Sequence, residues 1–600
     1  MRNPFKQNSP IIEVPIVESG RYHKDTKGVI NIEAIHPNSD VKHVIDSNYC
    51  SSFEKFTPDA QDGVRAMEAT TIVWTRQHLI VAYILMWIVT FIDALQQGTS
   101  GALVPWVTTH FQQHSLTAYT GVMSSIIGGV LKLTLAQILN IFGRPQGFAL
   151  SVAFLALGLA LMAACNGVQL YAAAQIFYWL GYNGMSYTLG IFIADTSSLQ
   201  NRGFMFGYVN SPYIITVWIA GPLSQYFLSG PGWRTFYIAF AIITVIAAIP
   251  VFWLFMWNYR KAVNAGIITI EKSNRTFIES IKYYAVQFDV GGLFLAMGGL
   301  VFFLLPFSLY SYQEGKWRSP LCISFWTIGV LMMVTFVLYE KYIAPVRFMP
   351  YDLFLDPTVL GANILAATVF FSFYLWNAYF SSFLQVVSGL SLRDATYVSN
   401  IYIVGSCFFS VIVGLLIKVS GRFKWIALTL GLPITALGVG LMAHFRHSSH
   451  PVVWLILCQL LIAFSGGALV ITEQIAVMAA TDHQYIAVVL ALEGMFSAVG
   501  GGIGSSVAAA IWTGVFPVKL MEYLPVEKRG EWAGIYASLG TQLQFKKGTA
   551  TRVAIERAYG DAQMAMCAAA TAVLVFGFVS VLLWRDIRVC DFKQTKGRVV

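Results

Sequence analysis

Apolar runs of roughly 20 residues, each long enough to cross a bilayer as a helix, recur along this chain from residue 78 to residue 584. Hydrophobic residues make up 56% of the 600 residues and charged residues only 12%, whereas soluble globular chains are about 25% charged. A transmembrane barrel would instead show alternating strands of about 10 residues. The sequence therefore predicts an all-α polytopic membrane protein embedded in a lipid bilayer, and it excludes a fibrous or disordered chain.

The hydropathy pattern predicts 14 transmembrane helices. The thirteenth is rich in glycine, and the spacing of Gly500 and Gly504 favours close helix packing, with bending of the helix as the alternative. The predicted spans lie at about 78–98, 117–139, 147–165, 169–194, 204–227, 234–257, 289–309, 320–339, 359–383, 395–417, 425–444, 453–478, 486–515 and 561–584.

The distribution of Lys and Arg predicts which side of the membrane each loop faces. An even number of spans places both termini on one side. If that side is the cytoplasm, the inner loops and span flanks carry 19 Lys and Arg residues and the outer loops carry 12. Because basic residues gather on the cytoplasmic side, we expect cytoplasmic termini. The same rule accounts for the net charge of +9 without a nucleic-acid partner.

A short motif occurs twice at matching positions. Gly143-Arg144 lies between predicted spans 2 and 3, and Gly421-Arg422 lies between predicted spans 10 and 11. The simplest arrangement that places these loops eight spans apart has two similar six-helix halves with two helices inserted between them. Two such halves around a central cavity are typical of secondary transporters.

The sequence at these motifs resembles a known family. The short loop that ends in Gly143-Arg144 is similar to the signature loop of the major facilitator superfamily, and Asp195 with Arg202 is similar to a second charged pair of that superfamily. The narrower resemblance is to the fungal siderophore–iron transporters, and it implies a major facilitator fold with 14 spans and proton-coupled uptake of ferric siderophores. The segments that carry it are Phe91–Leu103, Ser124–Leu133, Ile141–Gly147, Phe383–Val387, Arg422–Trp425 and Ile511–Thr513.

Hydropathy, charge and the repeat together divide the chain into six parts. The predicted parts are a largely disordered cytoplasmic arm (1–76), the N-terminal six-helix half (77–257), a cytoplasmic linker that either forms an amphipathic helix on the inner leaflet or is solvated (258–288), two inserted helices (289–358), the C-terminal six-helix half with a large outer loop at 516–560 (359–584), and a cytoplasmic tail (585–600).

Several kinds of chemistry are excluded by missing motifs. The sequence has no GxxxxGK[ST] phosphate-binding motif, so an ATP-driven pump is excluded. None of the ten His residues is paired in the middle of a span, as haem ligation in a ferric reductase would require, and the seven Cys form no CxxC motif. Ligands for a bare metal ion are too scattered. We therefore predict a transporter rather than an enzyme, with no catalytic residue, cofactor or resident metal, and any iron must arrive already chelated.

Three carboxyl groups inside predicted spans are candidates for proton coupling: Asp93, Glu473 and Glu493. Ionisable groups inside a membrane are energetically costly and therefore point to function. A carboxyl in a dehydrated cavity favours its protonated form, so it can bind a proton on one side and release it on the other. The alternative for each is a structural salt bridge or hydrogen bond. We expect Asp195 and Arg202 to form a pair at an inner gate. The residues expected to have gate or structural roles are Lys132, Arg144, Asp195, Arg202 and Arg422.

Polar and aromatic residues at mid-depth predict the wall of the substrate cavity. Tyr178 and Tyr182 are four residues apart and therefore share one helix face. A ferric hydroxamate siderophore is bulky and rich in carbonyl oxygens, so it suits aromatic faces and hydrogen-bond donors. For each residue, ordinary helix packing is the alternative. The candidates are Gln96, Gln97, Tyr178, Tyr182, Asn183, Tyr187, Asn210, Tyr213, Tyr374, Trp376, Asn377, Tyr397, Asn400 and Tyr402.

The predicted outer loop 516–560 is basic overall and contains Trp532, Tyr536 and Phe545. It is interpreted either as a lid that helps to capture substrate or as a solvated loop.

Taken together, the residues and the resemblance predict a monomeric ferric siderophore:proton symporter that works by alternating access. We expect it in the plasma membrane or in an endosomal vesicle membrane. A 14-span drug:proton antiporter and a glutathione:proton exchanger remain the alternatives on the same scaffold, and a transporter-like nutrient receptor is a more distant one.

Overall fold

A computed structural model describes residues 62–110, 129, 131–267, 276–309, 313, 315–344 and 351–591. Most of the predicted arm, the outer part of the second predicted span and the end of the predicted tail lie outside these residues. In chain order, the helices are α1 (Asp62–Val73), α2 (Arg76–His110), α3 (Leu131–Phe142), α4 (Arg144–Ala164), α5 (Val168–Thr196), α6 (Leu199–Asn210), α7 (Tyr213–Ser229), α8 (Trp233–Asn264), α9 (Phe277–Gln287), α10 (Val290–Leu309), α11 (Pro320–Tyr342), α12 (Tyr351–Phe354), α13 (Pro357–Asn377), α14 (Phe380–Val386), α15 (Leu392–Ser420), α16 (Leu432–Phe445), α17 (Val452–Ala479), α18 (Ile486–Tyr523), α19 (Trp532–Ala537), α20 (Leu539–Gln544) and α21 (Ala550–Leu582).

The described part of the chain contains ten helices that are long and apolar enough to cross a membrane. An eleventh is obtained if α9 and α10, which meet at a bend of 52°, form one span. The prediction of a polytopic helical membrane protein is therefore confirmed. The count of 14 stays a prediction, because residues 111–128 lie outside the described residues.

Two predicted spans are broken in the structure. The span predicted at 204–227 is divided between α6 and α7, because Pro212 lacks the backbone N–H that a continuous helix would use. The span predicted at 359–383 ends at Asn377 and restarts at Phe380, after Tyr379 adopts a left-handed backbone with φ 55°. The hydropathy pattern does not predict such breaks, because the residues on both sides of each break are hydrophobic.

The predicted loop 516–560 is much shorter than expected. Helix α18 continues to Tyr523 and α21 begins at Ala550, which leaves 524–549 as the connection. That connection contains two short helices of its own, α19 and α20. Polar residues at both helix ends hide these extensions, so the predicted end at 515 is too early and the predicted start at 561 is too late.

The predicted arm is also partly ordered. Its last segment forms α1, and Val64, Met67 and Ala69 of this helix are buried. The prediction that the arm is largely disordered through residue 76 is therefore wrong for residues 62–73. The helix is short and its apolar residues alternate with polar ones, so the sequence gave too weak a signal to predict it.

The linker forms a helix at its C-terminal end. Thr276 and Glu279 make a reciprocal capping box that begins α9. Ile278 and Ile281 of this helix are exposed, as expected of a helix that rests its apolar side on a membrane surface. The alternative of a fully irregular, solvated linker is excluded for residues 277–287.

In both Gly-Arg motifs the glycine has a positive φ, although Gly143 precedes a helix as its N-cap and Gly421 ends a helix as its C-cap. Gly143 (φ 98°) and Gly421 (φ 68°) both lie in the left-handed backbone region between two helices, which is unfavourable for residues that carry a Cβ. Each glycine lets the chain reverse direction directly before its arginine. What recurs at the two motifs is therefore a glycine with positive φ before an arginine, not one turn conformation. We call the side of the bundle that carries the Gly143-Arg144 loop the loop side.

Glycines of α18 allow its close packing against α13. A Cβ on Gly500 would overlap the carbonyl oxygen of Ala367, and a Cβ on Gly504 would lie 2.6 Å from the carbonyl oxygen of Phe371. Helix α18 is continuous through these glycines. In the structure these glycines therefore allow close helix packing and do not bend the helix.

A methyl group at Gly500 is expected to destabilise the protein by about 1–3 kcal/mol, because the atoms it meets belong to backbone and cannot turn aside. The Gly500→Ala variant should melt several degrees below the parent in detergent, as followed by fluorescence-detected size-exclusion chromatography. Gly514→Ala is the matched control, since it lies in the same helix with nothing within 4 Å of the added carbon. Equal melting of the two variants would contradict the packing role.

Candidate functional site: a polar cavity and a loop-side gate

A polar cavity of about 150 Å³ lies between helices of the two predicted halves. This volume is below the roughly 300–1,000 Å³ that is usual for sites that bind drug-sized ligands. A bulky ligand would therefore need the halves to move apart. The polar residues that line it are Thr90, Asp93, Lys132, Asn183, Ser186, Tyr187, Asn210, Tyr213, Gln474 and Glu493.

Asp93 of α2 lies in a group of tyrosines at one wall of this cavity. It is only 5% exposed, and among the described residues no cation forms an ion pair with it. The Tyr178 hydroxyl donates to Gln96 Oε1 at 3.0 Å, and the hydroxyls of Tyr182 and Tyr213 are 2.6 Å apart. The charge of Asp93 acts on all three tyrosines. This wall can therefore present several hydrogen-bonding hydroxyls and one acid to a ligand.

Glu473 and Glu493 form a second acidic group, at the interface of the halves. Glu473 is fully buried and neither of its carboxyl oxygens has a hydrogen-bond partner among the described residues, while Glu493 is 8% exposed. The two acids lie close enough for the ionisation of one to affect the other. The ammonium of Lys132 from α3 packs beside Gly494 and interacts electrostatically with Glu493. Two acids therefore share one base, and Lys132 and Glu493 of this group also line the polar cavity. Full ionisation of both acids would bury a net negative charge, so this group is suited to holding one proton.

The loop side of the bundle is closed by a charged cluster. The Arg144 guanidinium donates to Asp195 Oδ2 at 2.9 Å, and His483 Nε2 lies 3.3 Å from Asp195 Oδ1. His483 belongs to the loop between α17 and α18, so this contact joins the two halves. The Tyr187 hydroxyl makes a second connection by donating to the carbonyl oxygen of Ala487.

Arg202 belongs to the same cluster. It is fully buried and donates to the carbonyl oxygens of Ala194 and Ser197 at 2.8 and 3.4 Å, while its charge also acts on Asp195. The predicted pair of Asp195 and Arg202 is thus one part of a larger group, in which Arg144 makes the direct ion pair.

Comparison with known proteins places the chain in a family. The model of the Major Facilitator Superfamily matches residues 86–505. The chain belongs to this superfamily. It is 56% identical over 547 residues to "MFS siderochrome iron transporter 1" of Ajellomyces capsulatus, with 91% of this chain and 93% of the relative covered. It is 40% identical over 540 residues to "MFS siderochrome iron transporter D" of Aspergillus fumigatus, with 90% of each covered.

Among solved structures, the human organic anion transporter MFSD10 matches with a TM-score of 0.49 and 11% identity, covering 82% of this chain and 98% of that chain. The relatives above confirm the predicted resemblance to fungal siderophore–iron transporters. Membership of a superfamily of transporters also confirms the prediction that this major facilitator is not an enzyme.

The structure of this major facilitator brings together only part of the predicted cavity. Residues predicted from the N-terminal half converge: Asp93, Asn183, Tyr187, Asn210 and Tyr213 line it, with Gln96, Tyr178 and Tyr182 directly behind. The predicted residues outside its lining are Gln97, Tyr374, Trp376, Asn377, Tyr397, Asn400 and Tyr402.

The aromatic residues of the C-terminal half form a cluster of their own in this major facilitator. Tyr402 has its ring 5.3 Å from that of Trp376 and 5.1 Å from that of Phe373. Trp376 is 2% exposed and therefore belongs to the hydrophobic core. The ring centroid of Tyr397 lies 5.3 Å from that of Trp218 in the other half. For Trp376, the structure therefore supports the alternative interpretation, ordinary helix packing.

Sequence reasoning missed His483 and Gln474. His483 is one of ten His residues with no distinguishing sequence signal, and its role depends on a partner, Asp195, that is distant in the chain. Gln474 follows Glu473 directly, and the mid-span amide was the only available signal. Arg422, in contrast, pairs with Asp586 at an exposed site, 2.9 Å apart, so its contribution to stability is small.

The connection 524–549 is fastened to the bundle of this major facilitator on the side opposite the gate. Arg552 donates to the carbonyl oxygens of Val386 and Gln542 at 2.6 and 2.7 Å. Lys547 donates to the carbonyl oxygen of Ser388 at 2.9 Å. The segment is therefore held against the bundle at these points, and its two interpretations, a lid or a solvated loop, stay predictions.

Proposed function

We propose that this major facilitator imports ferric siderophores, of the hydroxamate type, together with protons by alternating access. The substrate class is supported by relatives that are 56% and 40% identical over nearly the whole chain and are named siderochrome iron transporters. The coupling is supported by one observation above all, the shared burial of Glu473 and Glu493 with the single base Lys132 at the interface of the halves.

Alternating access is supported by the closed loop side. Arg144, Asp195 and His483 join the halves there, while the cavity that contains Asp93 lies deeper between the helices. With the termini in the cytoplasm, the loop side is the cytoplasmic gate. Binding of a bulky chelate widens the cavity from the outside, and closure of the outer side is then followed by opening of this gate.

Proton coupling follows from charge balance in the acidic group. With one proton on the Glu473–Glu493 pair, the remaining negative charge is balanced by Lys132. Without that proton, the closed carrier buries an uncompensated charge, which is energetically costly. A proton from outside therefore favours closure of the loaded carrier, and its release to the cytoplasm resets it.

The cavity wall suits a wrapped iron rather than a bare ion. Tyr213 lines the cavity and offers an aromatic face and a hydroxyl to the carbonyl oxygens of a hydroxamate, with Tyr182 hydrogen-bonded to it from behind. The iron stays inside its organic ligand, so recognition falls on the ligand. We further propose that the protein acts as a monomer in the plasma membrane or an endosomal vesicle membrane.

The test is uptake of radioactive iron by an iron-starved yeast that lacks its own siderophore carriers and expresses this chain. A panel of purified ferric siderophores should yield at least one substrate, and a protonophore should abolish its uptake. Drug resistance without siderophore uptake would favour the antiporter, and glutathione export without it would favour the exchanger.

A further inference from the structure

Helix α9 turns its polar side toward the protein and its apolar side away from it. Ser280, Tyr283 and Gln287 share one side of the helix and are half-buried. Ile278 and Ile281 lie on another side and are 78% and 55% exposed. A helix that packs on a soluble core has the reverse arrangement. The exposed apolar side of α9 therefore suits a membrane surface or another protein.

Aromatic contacts at its C-terminal end fix the orientation of α9. The ring centroids of Tyr284 and Phe288 lie 5.4 and 5.7 Å from that of Phe142, which directly precedes the Gly143-Arg144 turn. These contacts place α9 on the loop side of the bundle. They also hold the helix so that its apolar side stays turned away from the protein.

The bend between α9 and α10 places α9 at the level of the membrane surface. Helix α10 has 20 residues, about the number that crosses the hydrocarbon core, so α9 is not needed for the crossing. Asp289 (φ 45°) lies at the bend, is buried, and accepts hydrogen bonds from the Tyr339 hydroxyl at 2.9 Å and the Gly292 backbone N–H at 3.3 Å. Helix α9 is therefore held at 52° to a helix that spans the membrane.

The sequence around α9 is basic. Residues 258–288 contain five Lys and Arg residues and two Glu residues. Arg260 at the end of α8 and Lys282 of α9 are exposed, and none of the ion pairs of the described residues includes Lys282. Glu279, the acid of α9, is engaged in the capping box with Thr276. Basic groups beside an exposed apolar side match the anionic headgroups and acyl chains of a phospholipid leaflet.

We propose that α9 is a docking helix for the anionic phospholipid surface of the cytoplasmic leaflet. Ile278 and Ile281 enter the boundary between headgroups and acyl chains, while the Lys282 stem lies along this boundary and its ammonium meets the headgroups. Lipid is favoured over a protein partner because α9 leads directly into a span and its apolar side lies where lipid is already present. The contact with Phe142 places this lipid site beside the loop-side gate.

The experiment measures the reaction of cysteines on two sides of α9 with a membrane-impermeant maleimide. The full chain is placed in nanodiscs that hold one chain each, so that a second copy cannot cover the helix. Ile281→Cys tests the apolar side, and Val286→Cys, about 140° further round the helix, is its reference. Labelling is counted as the difference from the parent chain, because the sequence has seven cysteines.

In nanodiscs of phosphatidylcholine with phosphatidylserine, Ile281→Cys should react about ten-fold or more slowly than Val286→Cys, since lipid removes the first position from water. The exposure of the two side chains in the protein alone, 55% and 38%, predicts the opposite order. Reaction of Ile281→Cys at the rate of Val286→Cys or faster would overturn the docking of α9.

The role of anionic headgroups is tested with the same protein in phosphatidylcholine alone, where Ile281→Cys should react about five-fold faster than in the anionic nanodiscs. Equal rates in the two lipids would overturn the requirement for negative charge, and this comparison involves no change in the protein.

A charge variant tests the part of Lys282. In the anionic nanodiscs, adding Lys282→Glu to Ile281→Cys should raise the reaction rate about five-fold. Lys546→Glu is the matched control, because it reverses an exposed charge on the opposite side of the bundle and should leave the rate unchanged. An unchanged rate with Lys282→Glu would remove this lysine from the lipid contact. Labelling needs no transport, so failure of the proposed import would be seen in the uptake assay and not here.

Discussion

Replacement of Glu473 by glutamine is expected to abolish proton-driven accumulation of substrate while leaving exchange of substrate across the membrane. Glutamine resembles the protonated acid in shape and charge, so the group of Glu473, Glu493 and Lys132 stays balanced without a proton. The loaded carrier can then close and reopen, but it has no proton to release. Net uptake should fall about 100-fold, equivalent to about 2.7 kcal/mol, with counterflow close to that of the parent.

The measurement compares concentrative uptake with counterflow in the same vesicles. Glu531→Gln is the control, because this glutamate pairs with Lys528 on an exposed surface. Its replacement should change neither concentrative uptake nor counterflow. Glu493→Gln should also lower the amount of folded protein, since Lys132 then loses its counter-charge inside the protein. Accumulation by Glu473→Gln at the level of the parent would remove this acid from the coupling mechanism.

Replacement of Asp93 by asparagine is expected to weaken substrate binding rather than coupling. Asp93 lies on the cavity wall with Asn183 and Tyr213, whereas Glu473 is buried at the interface of the halves. Asparagine keeps the shape but loses a charge-assisted hydrogen bond, which is worth about 1.5–3 kcal/mol. The apparent KM for uptake should therefore rise about ten-fold or more, with the maximal rate nearly unchanged.

Gln97→Ala is the control for Asp93→Asn, because Gln97 is on the same helix but does not line the cavity. Kinetics of uptake over a range of substrate concentrations separate the two parameters. If Asp93→Asn instead loses accumulation at an unchanged KM, Asp93 carries the proton and the two acidic groups exchange their proposed roles.

The fold class was predictable because a bilayer imposes one requirement on every span, a long apolar helix. The turn at Gly143 was predictable because its glycine recurs at Gly421, and both need the left-handed backbone. The break at Tyr379 was not, since the flanking residues remain apolar. Helix α1 was missed because its stability comes from contacts with distant helices rather than from its own sequence.

The site was predictable where one helix carries the pattern. Tyr178 and Tyr182 share a face at a spacing of four, and Asp93 stands out in an apolar span. The grouping of Glu473 with Glu493 and Lys132 was not predictable, because three helices bring these residues together. The role of His483 depends on its contact with Asp195, a residue far away in the chain.

Proton movement by the purified protein tests the symport mechanism most directly. Proteoliposomes that contain this chain, with a weakly buffered exterior, receive a transported ferric siderophore while the external pH is recorded. We predict that the exterior becomes alkaline as iron enters, and that Glu473→Gln shows no such change. Entry of the ferric siderophore with no movement of protons, or entry that continues undiminished with a protonophore present, would contradict proton symport.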